Sequence, residues 1–292
     1  MNKSKVRQSA LLLIYSVLEN SGDTAAFDLE LFWQIAQEKE RDRYVMAAAR
    51  AIIHICRSAP DALRVLTGRV QAVVDATEED MGTARLREDA ERYAHQAKTF
   101  VSALTAQQRC LADKRRDSAD QLELCNRDVI RLAFAVEGLG RALLPTLADY
   151  PRYRAVLEPL AAAIRRSGRL LAQCAAVEAP RALEGIGEFS SLIRSAELLQ
   201  ELRPAAERLA FAVLARRAEV DARIAARLDN YSPERLDVVD KSILYLALYE
   251  LEVSGLDMPI VVSEATALAD AYSGSKSAPF IHGVLAALAR KD

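Results

Sequence analysis

Glycine and proline are scarce in this 292-residue chain, at 11 and 9 residues, and aromatic side chains make up only 6%. So few turn-formers argue against a turn-rich β-sandwich and against a long disordered tail. Neither charge is in excess: 39 Lys and Arg face 41 Asp and Glu, a formal net charge of −2 at pH 7. Grip on nucleic acid by bulk charge is therefore excluded, while a local basic patch is not. Long apolar runs are missing too. The first, Ala10 to Leu18, contains Tyr15 and Ser16, is too short for a bilayer and lacks a signal-peptide cleavage pattern. The other apolar stretches are broken within a few residues by Arg, Glu or Asp, so the expectation is a cytoplasmic protein with no membrane partner. The scattered Cys56, Cys110, Cys125 and Cys174 form no C-x-x-C pair and read as reduced, partly buried thiols. His54, His95 and His282 stand far apart with no second ligand at helical spacing, which argues against zinc. No metal and no cofactor is implied.

What is present is helix after helix. Hydrophobic residues reach 51% and charged residues 27%, with Ala, Leu and Arg recurring throughout, and the periodicity predicts an all-α protein. Helices are expected from Val6 to Leu18 and from about Ala26 to Arg41. Two long amphipathic helices pairing side by side account for Ala84 to Arg131. Breaks fall near Ser58 to Pro60, at Pro145, at Asp149 to Pro151 and through Ala179 to Gly187. Further on, a helix is expected from about Pro204 to Leu228, followed by a stop at Asn230 to Arg235 where Ser232 caps the next turn. Asp237 or Asp240 then opens a helix through Leu251, Gly255 to Pro259 connects, and a helix covers Val262 to Tyr272. A loop over Gly274 to Pro279 leads to a closing helix over Phe280 to Leu288.

Several of these segments resemble the NusB family of bacterial antitermination factors. Leu236-Asp-Val-Val-Asp240-Lys241-Ser-Ile-Leu-Tyr245-Leu-Ala-Leu-Tyr249-Glu250-Leu251 is similar to the family's central helix. Ser263-Glu264-Ala265 with Leu268-Ala269, the ending Phe280-Ile281-His282-Gly283-Val284-Leu285, and Asn230 to Leu236 match further family segments. Near the amino terminus, Arg7-Gln-Ser-Ala10 with Leu13 to Tyr15 looks like its first helix. The resemblance implies one NusB-like bundle assembled from residues 1–40 and 200–292, with 41–199 as a helical insertion. Tyr44 to Ile55 also passes for the family's third helix, which would place the insertion later.

The resemblance further implies binding of boxA-like single-stranded RNA together with the ribosomal protein NusE, within a transcription elongation complex on ribosomal RNA. Such binding needs cations for phosphates and aromatic faces for unpaired bases. Lys3, Lys5 and Arg7 oppose only Glu19 in the first twenty residues; a basic stripe and a solvated helix start fit that pattern equally. By resemblance, Arg7 carries over most directly, with Lys241 and Lys276 as further cations and Tyr15 and Phe280 as aromatic contacts. From the residues alone, Tyr15 also fits a core position with its hydroxyl at the rim. Asp240 and Ser277 match partner-side positions, although Asp240 equally suits a helix cap. Gly274-Ser-Lys276-Ser277 is not a P-loop, since the preceding strand and first glycine are absent.

Glu250 and Glu264 sit on apolar helices without a nucleophile, base or metal partner, a pattern of structure rather than catalysis. Three departures stand out: Tyr245 where the family usually has Arg, His282 in place of Asn, and Ser263 in place of Asn. Residues 201–292 hold 11 basic and 14 acidic residues, so this region is not cationic by composition. A protein-binding scaffold with little RNA affinity is the alternative reading. An accessory domain of an RNA methyltransferase ranks last, because no Gly-rich cofactor loop follows.

Overall fold

The computed structural model describes residues 3–20, 22–113, 118–226, 236–274 and 276–289. Among them the regular structure is entirely helical. In chain order the helices are α1 (Lys3–Glu19), α2 (Leu29–Ala36), α3 (Glu38–Ile55), α4 (Ala59–Thr77), α5 (Ala84–Ala112) and α6 (Ser118–Thr146). They continue as α7 (Arg154–Ala175), α8 (Ser190–Ala215), α9 (Arg217–Ala225), α10 (Val238–Glu252), α11 (Met258–Tyr272) and α12 (Ser277–Ala289). The chain divides into two compact units, one of Met1–Glu38 with Glu197–Asp292 and the other of Lys39–Ala196.

The first unit is built around α10. Ile243, Leu244, Tyr245, Leu246, Ala247 and Leu248 are all buried in succession, which only a helix covered on every side permits. α1, α11 and α12 pack against it. α1 contributes Val6, Ala10, Leu13, Ile14 and Val17, a three-and-four spacing that puts one face into the core. Ile281 and Leu285 enter from α12, and Leu202, Ala206, Ala210 and Val213 from α8. Each buried Leu, Ile or Val contributes on the order of 2 kcal/mol by leaving water.

Local chemistry sets the ends. α1 closes at Gly22, whose backbone takes φ +68° while its N–H bonds the Val17 carbonyl at 2.9 Å; that left-handed conformation suits glycine. Asp28 caps α2 by accepting the Leu31 N–H at 3.0 Å, and Asp237 caps α10 by accepting the Val239 N–H at 2.9 Å.

Several expected boundaries move for identifiable reasons. The single helix expected over 26–41 is two: the Asp28 cap delays its start, and Gln37 leaves helical geometry at φ −98°, ψ 0°. Pro204 lies inside α8 rather than starting a helix. Its missing N–H deprives only the carbonyl of Gln200, and both residues are exposed, so the lost bond falls on the solvent side of the helix. The break comes instead at Arg216, before α9. α11 starts at Met258 with Pro259 in its first turn, and α12 at Ser277 with Pro279 in its first turn, positions where proline forfeits no helical bond. Pro145 sits in the last turn of α6. The expected Asn230 to Arg235 stop, with its Ser232 cap, lies outside the described residues.

In the second unit α4 touches α5, α5 touches α6, α6 touches α7, and α7 returns to α4, the ring of a four-helix bundle. α5 and α6 pair along their length, as the amphipathic pattern anticipates. Tyr93, Phe100, Leu66, Leu104, Leu160 and Leu171 fill the centre. Gly140 on α6 marks a close approach: a Cβ there would lie 3.0 Å from both Ile164 and the Tyr93 ring. Short 3-10 turns link the helices at Leu147–Asp149, Pro151–Tyr153 and within 176–189.

Candidate functional site

The sequence-predicted residues fall at different places on the first unit. At the N-terminal end of α10, Asp240 is buried and receives two hydroxyls: Ser273 donates to Oδ1 at 2.7 Å and Ser277 to Oδ2 at 3.0 Å. Ser273 and Ser277 are themselves 2.8 Å apart. The end of α11, the start of α12 and the first turn of α10 are thus tied into one corner. Asp237, not Asp240, is the helix cap. Asp240 instead fixes the short connection that carries Lys276. Lys276 is exposed at this corner, and Phe280, one turn into α12, is 37% exposed. The two stand four residues apart with a backbone bond from Phe280 N–H to Lys276 C=O.

Lys241 is next to Asp240 but points to a second cluster. Its Nζ lies 5.5 Å from the Tyr245 ring centroid and 3.8 Å from Asp221 Oδ2 on α9. The buried Tyr245 hydroxyl donates to the same Asp221 oxygen at 2.7 Å. Tyr245 is therefore a core tyrosine whose hydroxyl and ring hold an acid and a cation together.

Toward the opposite end of α10, Arg7 is 6% exposed, and its Nε donates to Glu250 Oε1 at 2.7 Å. Its Nη1 is 3.5 Å from Glu264 on α11. Burial pushes the Glu250 carboxyl above its ordinary range, opposed by the bond and charge from Arg7 and assisted by Glu264. The guanidinium expected to face phosphates is inside the protein, joining α1 to α10 and α11. Lys3, one turn earlier, is exposed, and Lys5 is half-buried. Tyr15 is half-buried, further along α1. Glu250 is ten residues from Asp240, about 15 Å along the helix at 1.5 Å per residue. The Arg7 and Asp240 clusters are therefore separate features.

Sequence reasoning gave no role to Ser273 or Asp221. Ser273 has a faint signal, four residues from Ser277 on the far side of a glycine. Asp221 has none, because its role depends on α9 meeting α10. Among the described residues no group of three or more His, Cys, Asp or Glu is placed to hold a metal, and no helix is long and apolar enough to cross a membrane.

A model of the NusB family matches residues 169–290. The chain is similar to proteins named transcription antitermination protein NusB. That of Listeria monocytogenes serotype 4b (strain CLIP80459) is 42% identical over 88 residues, 30% of this chain and 68% of the relative. That of Solibacter usitatus (strain Ellin6076) is 40% identical over 74 residues, 25% of this chain and 51% of the relative. That of Clostridium botulinum (strain Loch Maree / Type A3) is 51% identical over 69 residues, 23% of this chain and 48% of the relative. No solved structure gives a significant match.

Proposed function

The chain belongs to the NusB family, and on that footing we propose that it is a transcription antitermination factor that binds boxA-like single-stranded RNA jointly with NusE. Binding rather than catalysis is the activity, and ribosomal RNA transcription is the setting. The observation that carries the reading is the corner at α10, α11 and α12. There the buried Asp240 pins the connection that presents Lys276 and Phe280, inside the stretch that matches the family. An exposed ammonium beside an exposed ring is the minimum that a phosphate and an unstacked base require. Lys3 adds a second exposed cation on α1, and Tyr15 and Lys5 lie on the same helix. Asp240 and Ser277, buried against each other, shape the surface offered to NusE. Arg7 supports this site from inside by holding α1 on α10. Each partner raises the affinity of the other by thermodynamic linkage.

Titration of the full chain with a labelled boxA-type RNA, with and without NusE, tests the reading. Binding is expected to strengthen when NusE is present and to weaken as salt rises. Absence of any binding to RNA and to NusE at low salt sinks it. Lys276→Ala and Lys3→Ala together should lower RNA affinity by roughly tenfold, with the unfolding temperature unchanged.

One feature favours a second reading, a scaffold that engages protein with little RNA affinity. Two of the expected cations are already paired within the molecule, Arg7 with Glu250 and Lys241 with Asp221. NusE binding in the absence of any RNA binding is the outcome that selects it.

A further inference from the structure

All four cysteines belong to the second unit, where the fold sorts them into two pairs that their spacing in the sequence conceals. Cys110 lies in the last turn of α5 and Cys125 in the second turn of α6, and their Sγ atoms are 3.3 Å apart. Both side chains are half-buried, so small solutes reach them. Cys56 and Cys174 share a thiol hydrogen bond of their own, but both are buried.

We propose that Cys110 and Cys125 are a redox modification site, closed by a two-electron oxidant such as hydrogen peroxide into a disulfide that clamps the α5–α6 hairpin. Three features of the structure support it. A disulfide needs its sulfurs at about 2.05 Å, so the pair has only a little over 1 Å to close. The helices that carry them already pack on one another, so the backbone does not have to travel. Cys110 packs against the small buried cluster of Val45, Ala49 and Leu122, which holds it in place beside Cys125. Burial, and then the neighbouring Cys110, pushes the Cys125 thiol up to about 11. The Cys125 thiol is therefore protonated at rest.

The chemistry balances without another reactant. One thiol gives up its proton and its thiolate attacks peroxide, forming an S–O bond as the O–O bond breaks, and the leaving hydroxide takes a proton to depart as water. The second sulfur then attacks the sulfenic sulfur, forming the S–S bond as the S–O bond breaks and a second water leaves. Two thiols lose two electrons and two protons, and one peroxide becomes two waters.

The test is to treat the native full chain with hydrogen peroxide, alkylate free thiols before and after unfolding, and map the peptides by mass spectrometry. The expected product is a Cys110–Cys125 linked peptide within one molecule, an intact mass lower by two hydrogens, and Cys56 and Cys174 alkylated only after unfolding. The oxidised chain should unfold roughly 5–10 °C higher, reversibly on adding dithiothreitol. Cys125→Ser and, separately, Cys110→Ala should keep the helical circular dichroism of the parent and lose both the linked peptide and the peroxide-dependent shift. Free thiols or separate sulfinic acids at Cys110 and Cys125 after treatment overturn the site. A linked peptide with no shift in unfolding temperature overturns the clamp.

Discussion

Among the described residues, the buried polar side chains of the first unit include three charged ones, Arg7, Asp240 and Glu250, whereas those of the second, Thr77, Thr83, Gln107, Asn126 and Ser167, are all neutral. The contrast follows how each unit is assembled. The second joins neighbours in the chain, helix to next helix, and apolar stripes with a few buried amides and hydroxyls suffice. The first joins a short amino-terminal piece to a carboxyl-terminal run, and Arg7 meets Glu250 across 243 positions. Apolar faces alone are tolerant of sliding and rotation. A buried guanidinium is not, because only one placement of α1 on α10 and α11 brings it a carboxylate. Charge is here a device of register, at a cost in desolvation visible in the raised Glu250 carboxyl.

This comparison can be broken by substitution. Arg7→Ala leaves Glu250 buried without its partner and should cost about 3–5 kcal/mol in urea unfolding. Replacing both with apolar residues, Arg7→Met with Glu250→Leu, should recover most of that loss. If Arg7→Ala is nearly neutral, the interior ion pair has no role in holding α1.

The neutral network of the second unit should respond less. Asn126 accepts from Gln107 at 2.7 Å and donates to the Val45 carbonyl at 2.9 Å. Asn126→Ala strands both and is expected to cost about 1–3 kcal/mol by the same measurement. Packing gives a smaller, signed test. Gly140→Ala drives a methyl into Tyr93 and Ile164, and after the gain in helix propensity it should lose about 1 kcal/mol. Gly138→Ala, on the same helix with open space around it, should gain up to about 1 kcal/mol. Equal effects at the two positions would contradict the close approach at Gly140.

The smallest effects should appear in pH dependence, with opposite signs in the two units. Asp80 is held below its ordinary value by the Tyr153 hydroxyl at 2.8 Å, then by the Gly82 N–H. Its contribution is complete above that ordinary value and falls away as pH drops through the lower folded value. Glu250, raised by burial, contributes most below its ordinary value and loses that contribution as pH rises through the higher folded value. Urea midpoints measured against pH should therefore lose the acid-side slope in Tyr153→Phe and the opposite slope in Glu250→Gln.

Much of the helical fold was legible because long, one-sided stripes such as those of α5 and α6 persist over eight turns. The stretch from Asp237 to Leu251 likewise read as a helix, and α10 spans it. Boundaries set by a single side chain were harder to read. Pro204 reads as a start, yet an exposed proline continues a helix whenever water can serve the orphaned carbonyl. The split at Gln37 has no breaker residue to mark it. At the candidate site, Asp240 and Ser277 were visible as polar positions, but what they bond was not. The pairings of Arg7 with Glu250, Lys241 with Asp221 and Cys110 with Cys125 depend on three-dimensional encounters. No local pattern reports them.

The 243-residue separation of Arg7 from Glu250 also constrains birth order. α1 leaves the ribosome before α10, and its acidic counterpart is translated long afterwards. At about 5–20 residues per second that delay exceeds ten seconds, time enough for the intervening bundle to mature alone. The amino-terminal segment must wait, apolar stripe uncovered, for the last helices to arrive. A chaperone that shelters nascent amphipathic segments therefore has its natural client window in the interval between the synthesis of α1 and that of α10.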